Sequence, residues 1–230
     1  MGEGEITNTA WDYFLPPHAI VMSSRLQSQP RAQVSSFSDS LDQVAAELVG
    51  CTRCKLCLGR KTVVVGEGAT PAQLMFIGEA PAEEEDLQGR PFVGKAGQLL
   101  DRMIEAIGLK RADVYLANIV KCRPSENRKP EKDEVATCNA FLLRQIQLVQ
   151  PKILITLGEL AVQTLLQNDQ GISQIRGKMQ NFQGIPLMPT LHPEELLKNP
   201  ESKKVVWQDL QTVAKDLGLE IPNRSKKISE

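Results

Sequence analysis

Short apolar runs alternate along this chain with longer segments in which apolar residues recur every three or four positions, from Leu41 to Leu217. The runs at Leu74–Ile77, Val114–Val120 and Ile153–Leu157 read as buried strands, and a short strand follows around Pro186–Pro189. Helical spacing marks 41–49, 98–107, 132–149 and 159–166, and two closing helices are expected over 194–198 and 202–217. Strands separated by helices of this length need crossover connections. The expected fold is therefore α/β, a mostly parallel sheet with helices on both faces.

Ahead of this pattern, residues 1–38 are rich in Ser, Gln and Pro and lack periodicity, so a mobile extension is expected there, carrying the aromatic patch Trp11, Tyr13, Phe14. The domain then spans 39–219, with a tail over 220–230. At 230 residues, 41% hydrophobic and 24% charged, the composition supports one sizeable core. No apolar run is long enough to span a membrane, and no basic-then-apolar leader opens the chain, which points to the cytoplasm or nucleoid. A net charge of −1 carries no global signature of nucleic-acid binding. Basic residues nevertheless gather locally, with Lys121, Arg123, Arg128, Lys129 and Lys132 in one stretch and Arg176, Lys178, Lys198, Lys203 and Lys204 in others. On one face they would form a stripe able to track phosphates; scattered, they would only be solvated.

The segment from Gly78 to Gly97 is the richest in chemistry. It leaves the end of an expected strand, where open α/β sheets place their ligands, and combines turn residues with an acidic cluster and Phe92. Gly89–Lys95 matches the start of a phosphate-binding loop, but Ala96 replaces the hydroxyl that would hold magnesium, and the match begins well after the strand. A nucleotide site is thereby excluded. Any one glutamate here could equally cap the next helix.

Five cysteines remain: Cys51, Cys54, Cys57, Cys122 and Cys138. In a chain without a secretion signal, clustered cysteines bind metal or perform redox chemistry more often than they form disulfides. Cys51 and Cys54 form a C-x2-C clip, Cys122 follows a strand, and Cys138 lies on the next helix. Four thiolates from these segments could hold zinc or an iron–sulfur cluster. A ferredoxin clip fails because Lys61 stands where a fourth Cys is needed.

Taken in order, C-T-R-C at 51–54, GEAPAEEED at 78–86, GRPFVGKAGQLLD at 89–101, N-I-V-K-C-R-P at 118–124 and L-H-P-E-E-L-L at 191–197 resemble the family 4 uracil-DNA glycosylases. The resemblance implies a three-layer α/β/α sandwich on a four-stranded parallel sheet and a monomer acting on uracil in single- or double-stranded DNA. It implies a chiefly structural [4Fe-4S] cluster, zinc being the lesser alternative, held by Cys51, Cys54, Cys122 and Cys138, with Cys57 extra.

The same resemblance assigns roles. Uracil must be everted from the duplex at a cost of a few kcal/mol, and Phe92 is the matching stacking platform. Asn118 would read N3–H and O4, with Ala80 and Pro81 against the base through their backbone. His192 would donate to O2 of the departing uracil. Glu79, with Glu85 second, would position the attacking water and support the cationic sugar. Leu196 is the expected wedge filling the vacated space in the duplex, and Lys121, Arg123 and Arg176 the expected DNA contacts. One departure stands out: the family's first motif is commonly GEAPG, and Ala82 here would strain a backbone that needed positive φ. Two other functions compete: an inactive uracil- or abasic-DNA sensor, and an iron–sulfur electron carrier. Relatives that become bonded to DNA carry a basic, His-containing insertion, and no His lies between Asp101 and Tyr115. An electron carrier would have no use for Phe92, Asn118 and His192 together.

Overall fold

The computed structural model describes residues 39–222. The expected N-terminal extension and most of the expected tail lie outside the described residues. In chain order the elements are α1 (Leu41–Leu48), β1 (Glu67–Gly68), β2 (Leu74–Gly78), α2 (Glu83–Gln88), α3 (Gly94–Ala106), β3 (Tyr115–Asn118) and α4 (Lys132–Val149). There follow β4 (Ile153–Leu157), α5 (Glu159–Leu166), α6 (Ile172–Ile175), β5 (Gln180–Phe182), β6 (Ile185–Thr190), α7 (Pro193–Lys198) and α8 (Lys203–Asp216).

The sheet has six strands in the order β1-β3-β2-β4-β6-β5, two more than expected. The central four are parallel, and the additions are short antiparallel edges, β1 on β3 and β5 on β6. Glu67–Gly68 and Gln180–Phe182 are too short and polar to show a strand period. Side-chain alternation along the central strands splits the core in two. Met75, Ile77, Ala117 and Leu154 face α1, α4 and α5, whereas Leu74, Phe76, Leu116 and Ile155 face α3, α7 and α8. The result is the expected sandwich of helices, sheet and helices.

Two local features shape the site. The strand expected over 114–120 ends at Asn118, because Ile119 and Val120 donate their N–H groups to Gly78 O (2.9 Å) and Glu79 O (3.2 Å). The ends of β2 and β3 are thereby tied together. The acidic cluster builds α2. Glu85 reaches back to the Ala82 N–H (2.7 Å), the carboxylates of the first turn sit at the positive end of the helix, and Gly89 stops it at φ 68°.

Candidate active site

Two adjoining hollows, of about 290 and 370 Å³, open beyond the carboxyl ends of the parallel strands and share Ala80, Ala82, Asn127, His192 and Glu194. Phe92 lines the larger, and Glu79 and Pro81 line the other. The loops after β2, β3 and β6 thus meet at one place.

Gly78 is the floor of the arrangement. A Cβ there would collide with Asn118 Oδ1 and stand 2.6 Å from Phe92 Cζ, so the amide and the ring both lie directly against this residue. Asn118 is 1% exposed, yet neither its amide nitrogen nor its amide oxygen has a hydrogen-bond partner. A buried amide with both ends open is costly unless a ligand completes it. Phe92 is itself held at φ 50°, a sparsely populated conformation. Its backbone is over-determined: Glu85 accepts from the Phe92 and Val93 N–H groups, and Arg111 donates to Pro91 O (2.5 Å) and Phe92 O (3.1 Å). Arg111 also spans Glu67 and Asp101. Its positioning role has no sequence signature, since the partners come from three separate segments.

His192 caps α7, its Nδ1 accepting the Glu194 N–H at 3.3 Å, with Pro193 at the first helical position. An accepting Nδ1 leaves the proton on Nε2. Burial holds the pKa below the usual histidine value, so the ring is a neutral donor with its tautomer fixed. Its centroid lies 6.1 Å from that of Phe92. The three side chains singled out from separate motifs therefore gather around one place.

The two candidate carboxylates differ. Glu79 lines the smaller hollow, rests against Gly158, which has room for it only because it lacks a Cβ, and accepts the Leu160 N–H at 2.9 Å. Burial raises its pKa. Glu85 is more deeply buried and its pKa is pushed up to about 7 by desolvation, while its oxygens are engaged with backbone N–H groups of Ala82, Phe92 and Val93. It acts on Phe92 by fixing that backbone. Ala82, meanwhile, adopts φ −90° as the N-cap of α2, so its methyl group costs no backbone strain.

Three of the expected DNA contacts are elsewhere. Lys121 is 0% exposed and its ammonium is bonded to Asn118 O and Gln145 Oε1, so it cannot reach a phosphate. Arg176 is committed to Asp209 and to Val205 O beneath α8. Leu196 is 1% exposed in the core against α3 and α8, and it is Leu197, 42% exposed and lining the larger hollow, that projects. Helical phase reverses the expected choice: one step of about 100° along α7 turns Leu196 inward and Leu197 outward. Arg123 stays at the mouth, 3.6 Å from Glu83 and bonded to Asn127. Lys129 and Lys198, both in the basic stretches read from the sequence, line the smaller hollow.

On the other side of β3, the cysteines converge. Cys51 and Cys54 pack against the core that contains Cys122 and Cys138, and none is in a disulfide. The thiols of Cys54, Cys122 and Cys138 are raised, first by burial, that of Cys122 to about 11, and neighbouring cysteines add to each shift. Arg60 donates to Cys122 Sγ (3.2 Å) and the Lys121 N–H to Cys138 Sγ (3.3 Å), hydrogen bonds that oppose the larger effect of burial. Among the described residues, no three His, Cys, Asp or Glu side chains are gathered tightly enough to share one ion.

A model of the Uracil DNA glycosylase superfamily matches residues 65–211, more than half of the chain. A type-4 uracil-DNA glycosylase of Saccharolobus solfataricus is 45% identical over 188 residues, covering 78% of this chain and 87% of that protein. One from Thermotoga maritima is 41% identical over 178 residues, covering 75% and 93%. A type-5 uracil-DNA glycosylase of Pyrobaculum aerophilum is less similar, 30% identical over 191 residues, covering 69% and 84%. With its fold and these similarities, the chain belongs to the type-4 uracil-DNA glycosylases.

Proposed function

We propose that the protein excises uracil from DNA by hydrolysing the N-glycosidic bond of deoxyuridine, leaving an abasic site. The observation that carries this reading is the buried, unpartnered Asn118 amide beside Phe92, with His192, its tautomer fixed, 6.1 Å from that ring. An amide can accept from N3–H and donate to O4 of uracil. Cytosine, with an amino group at position 4 and no N3–H, leaves both ends mispaired. Stacking on Phe92 returns about 1–3 kcal/mol towards the cost of eversion.

Chemistry follows from charge placement. As the C1′–N1 bond breaks, its electron pair leaves on uracil, and the Nε2–H of His192 donates to O2, where negative charge grows. Glu79, buried and anchored at the start of α5, holds the water that adds to C1′; the water's proton passes to the carboxylate and then to solvent. Anionic Glu79 also favours the cationic sugar, a pair at about 4 Å contributing roughly 4 kcal/mol at an effective dielectric of 20. Arg123, Lys129 and Lys198 are the proposed phosphate contacts.

Cys51, Cys54, Cys122 and Cys138 would hold a [4Fe-4S] cluster. Its chemistry here is cross-linking: it would pin α4 and the segment after β3 to the C-x2-C clip. A tetrahedral zinc site, with Zn–S near 2.3 Å, demands thiolates about 3.8 Å apart, whereas a cubane accepts a wider set. No helix among the described residues is long and apolar enough to cross a membrane, and we place the protein with DNA in the cytoplasm.

The test is to incubate the pure protein with single- and double-stranded oligonucleotides carrying uracil or thymine and to measure free base. Release from uracil alone supports the enzyme; tight binding without release supports a lesion sensor instead. Two variants probe the geometry. Gly78→Ala should lower uracil release roughly hundredfold, because its methyl group must displace Asn118 or Phe92 by about an ångström; unchanged kcat/KM would contradict the arrangement. Leu196→Ala should destabilise the fold by about 2–5 kcal/mol through a cavity. Leu197→Ala should leave stability within about 0.5 kcal/mol yet slow excision from duplex more than from single strands. Equal slowing on both would remove its wedge role.

A further inference from the structure

We propose that Lys121 is a positioning residue for the base-reading amide, its ammonium clamping the Asn118 backbone carbonyl while its own N–H is held at Cys138. This rests on the glycosylase reading above. Between Asn118 and Cys122 the chain has almost no slack. Ile119 and Val120 are tied to Gly78 O and Glu79 O, Lys121 O accepts the Val64 N–H (2.8 Å), and the Lys121 N–H donates to Cys138 Sγ (3.3 Å). The lysine side chain turns back inside this loop and donates to Asn118 O (2.7 Å) and Gln145 Oε1 (2.6 Å). Gln145 is anchored in turn to Val65 O (2.8 Å) and the Tyr115 hydroxyl (3.3 Å). Asn118 is thus aimed by a buried network reaching from β3 to α4.

The network's weakness is charge. A fully buried ammonium bonded only to two neutral oxygens is poorly compensated. Its position therefore depends on both hydrogen bonds, and removing either partner should loosen the Asn118 backbone.

The experiment compares full-length Lys121→Met with the unaltered holoprotein, both matched for secondary structure by circular dichroism. Binding is measured to an oligonucleotide with a non-hydrolysable 2′-fluoro-deoxyuridine and to the same strand with an abasic analogue. The expected result is a roughly tenfold or greater loss of preference for uracil over the abasic strand. Unchanged preference would overturn the proposal. Should the methionine variant fail to fold, Gln145→Leu, which removes one acceptor and touches neither Asn118 nor a cysteine, should lose preference several-fold; no loss overturns the proposal. Unaltered protein that releases no uracil would instead refute the functional reading on which it rests.

Discussion

His192→Ala is expected to lower kcat for uracil release roughly 10²–10³-fold while changing the affinity for uracil-containing DNA little. The argument is one of differential binding: the Nε2–H finds a weak acceptor in ground-state O2 and a strong one in the departing anion, so its loss falls on the transition state. The fixed tautomer matters, because an accepting Nδ1 keeps the useful proton facing the substrate at no cost of reorientation. Burial depresses the imidazole pKa, so this neutral donor persists below the usual histidine range; acidification should lower activity through His192 beneath that depressed value and through protonation of Glu79, whose pKa burial raises. Single-turnover rates across pH on a uracil single strand measure both effects. A His192→Ala rate within a few-fold of the unaltered protein would place the donor elsewhere.

Cys138→Ala should have the broadest consequence, loss of the cluster and with it nearly all excision. Unaltered aerobic protein should be brown, with broad blue-region absorption and close to four irons per chain on the cubane assignment; the variant should be colourless. Removing one ligand weakens the hold on the segment from Cys122 to Cys138, whose ion pairs to the body include Lys55–Glu131, Lys55–Asp133 and Arg123–Glu83. Exposed ion pairs of this kind contribute about 0–1 kcal/mol each. Hydrogen exchange should therefore rise from residue 122 to 138 while the α3 and α8 side of the sheet stays protected. Colourless unaltered protein carrying one zinc would overturn the assignment. A Cys57→Ala variant that also lost its colour would show that the ligand set is wrong.

What could be read from the sequence was whatever is local or periodic. The bounds of α4, β4 and α5 came directly from apolar spacing, because both helix and strand impose a repeat on the residues that face a core. Phe92, Asn118 and His192 were identifiable because each sits in a distinctive short motif, and the cysteines because their chemistry is rare. Tertiary structure alone decided which members of similar pairs face the hollow and which are buried. It turned Leu197 outward and buried Leu196, drew Lys121 and Arg176 from the surface into interior networks, and made Glu85 a brace for Phe92. It also made Gly78 the shared floor of ring and amide, and recruited Arg111 from a distant turn. In each case the deciding quantity is the direction of a side chain and the atoms it meets, set by contacts between segments far apart in the chain.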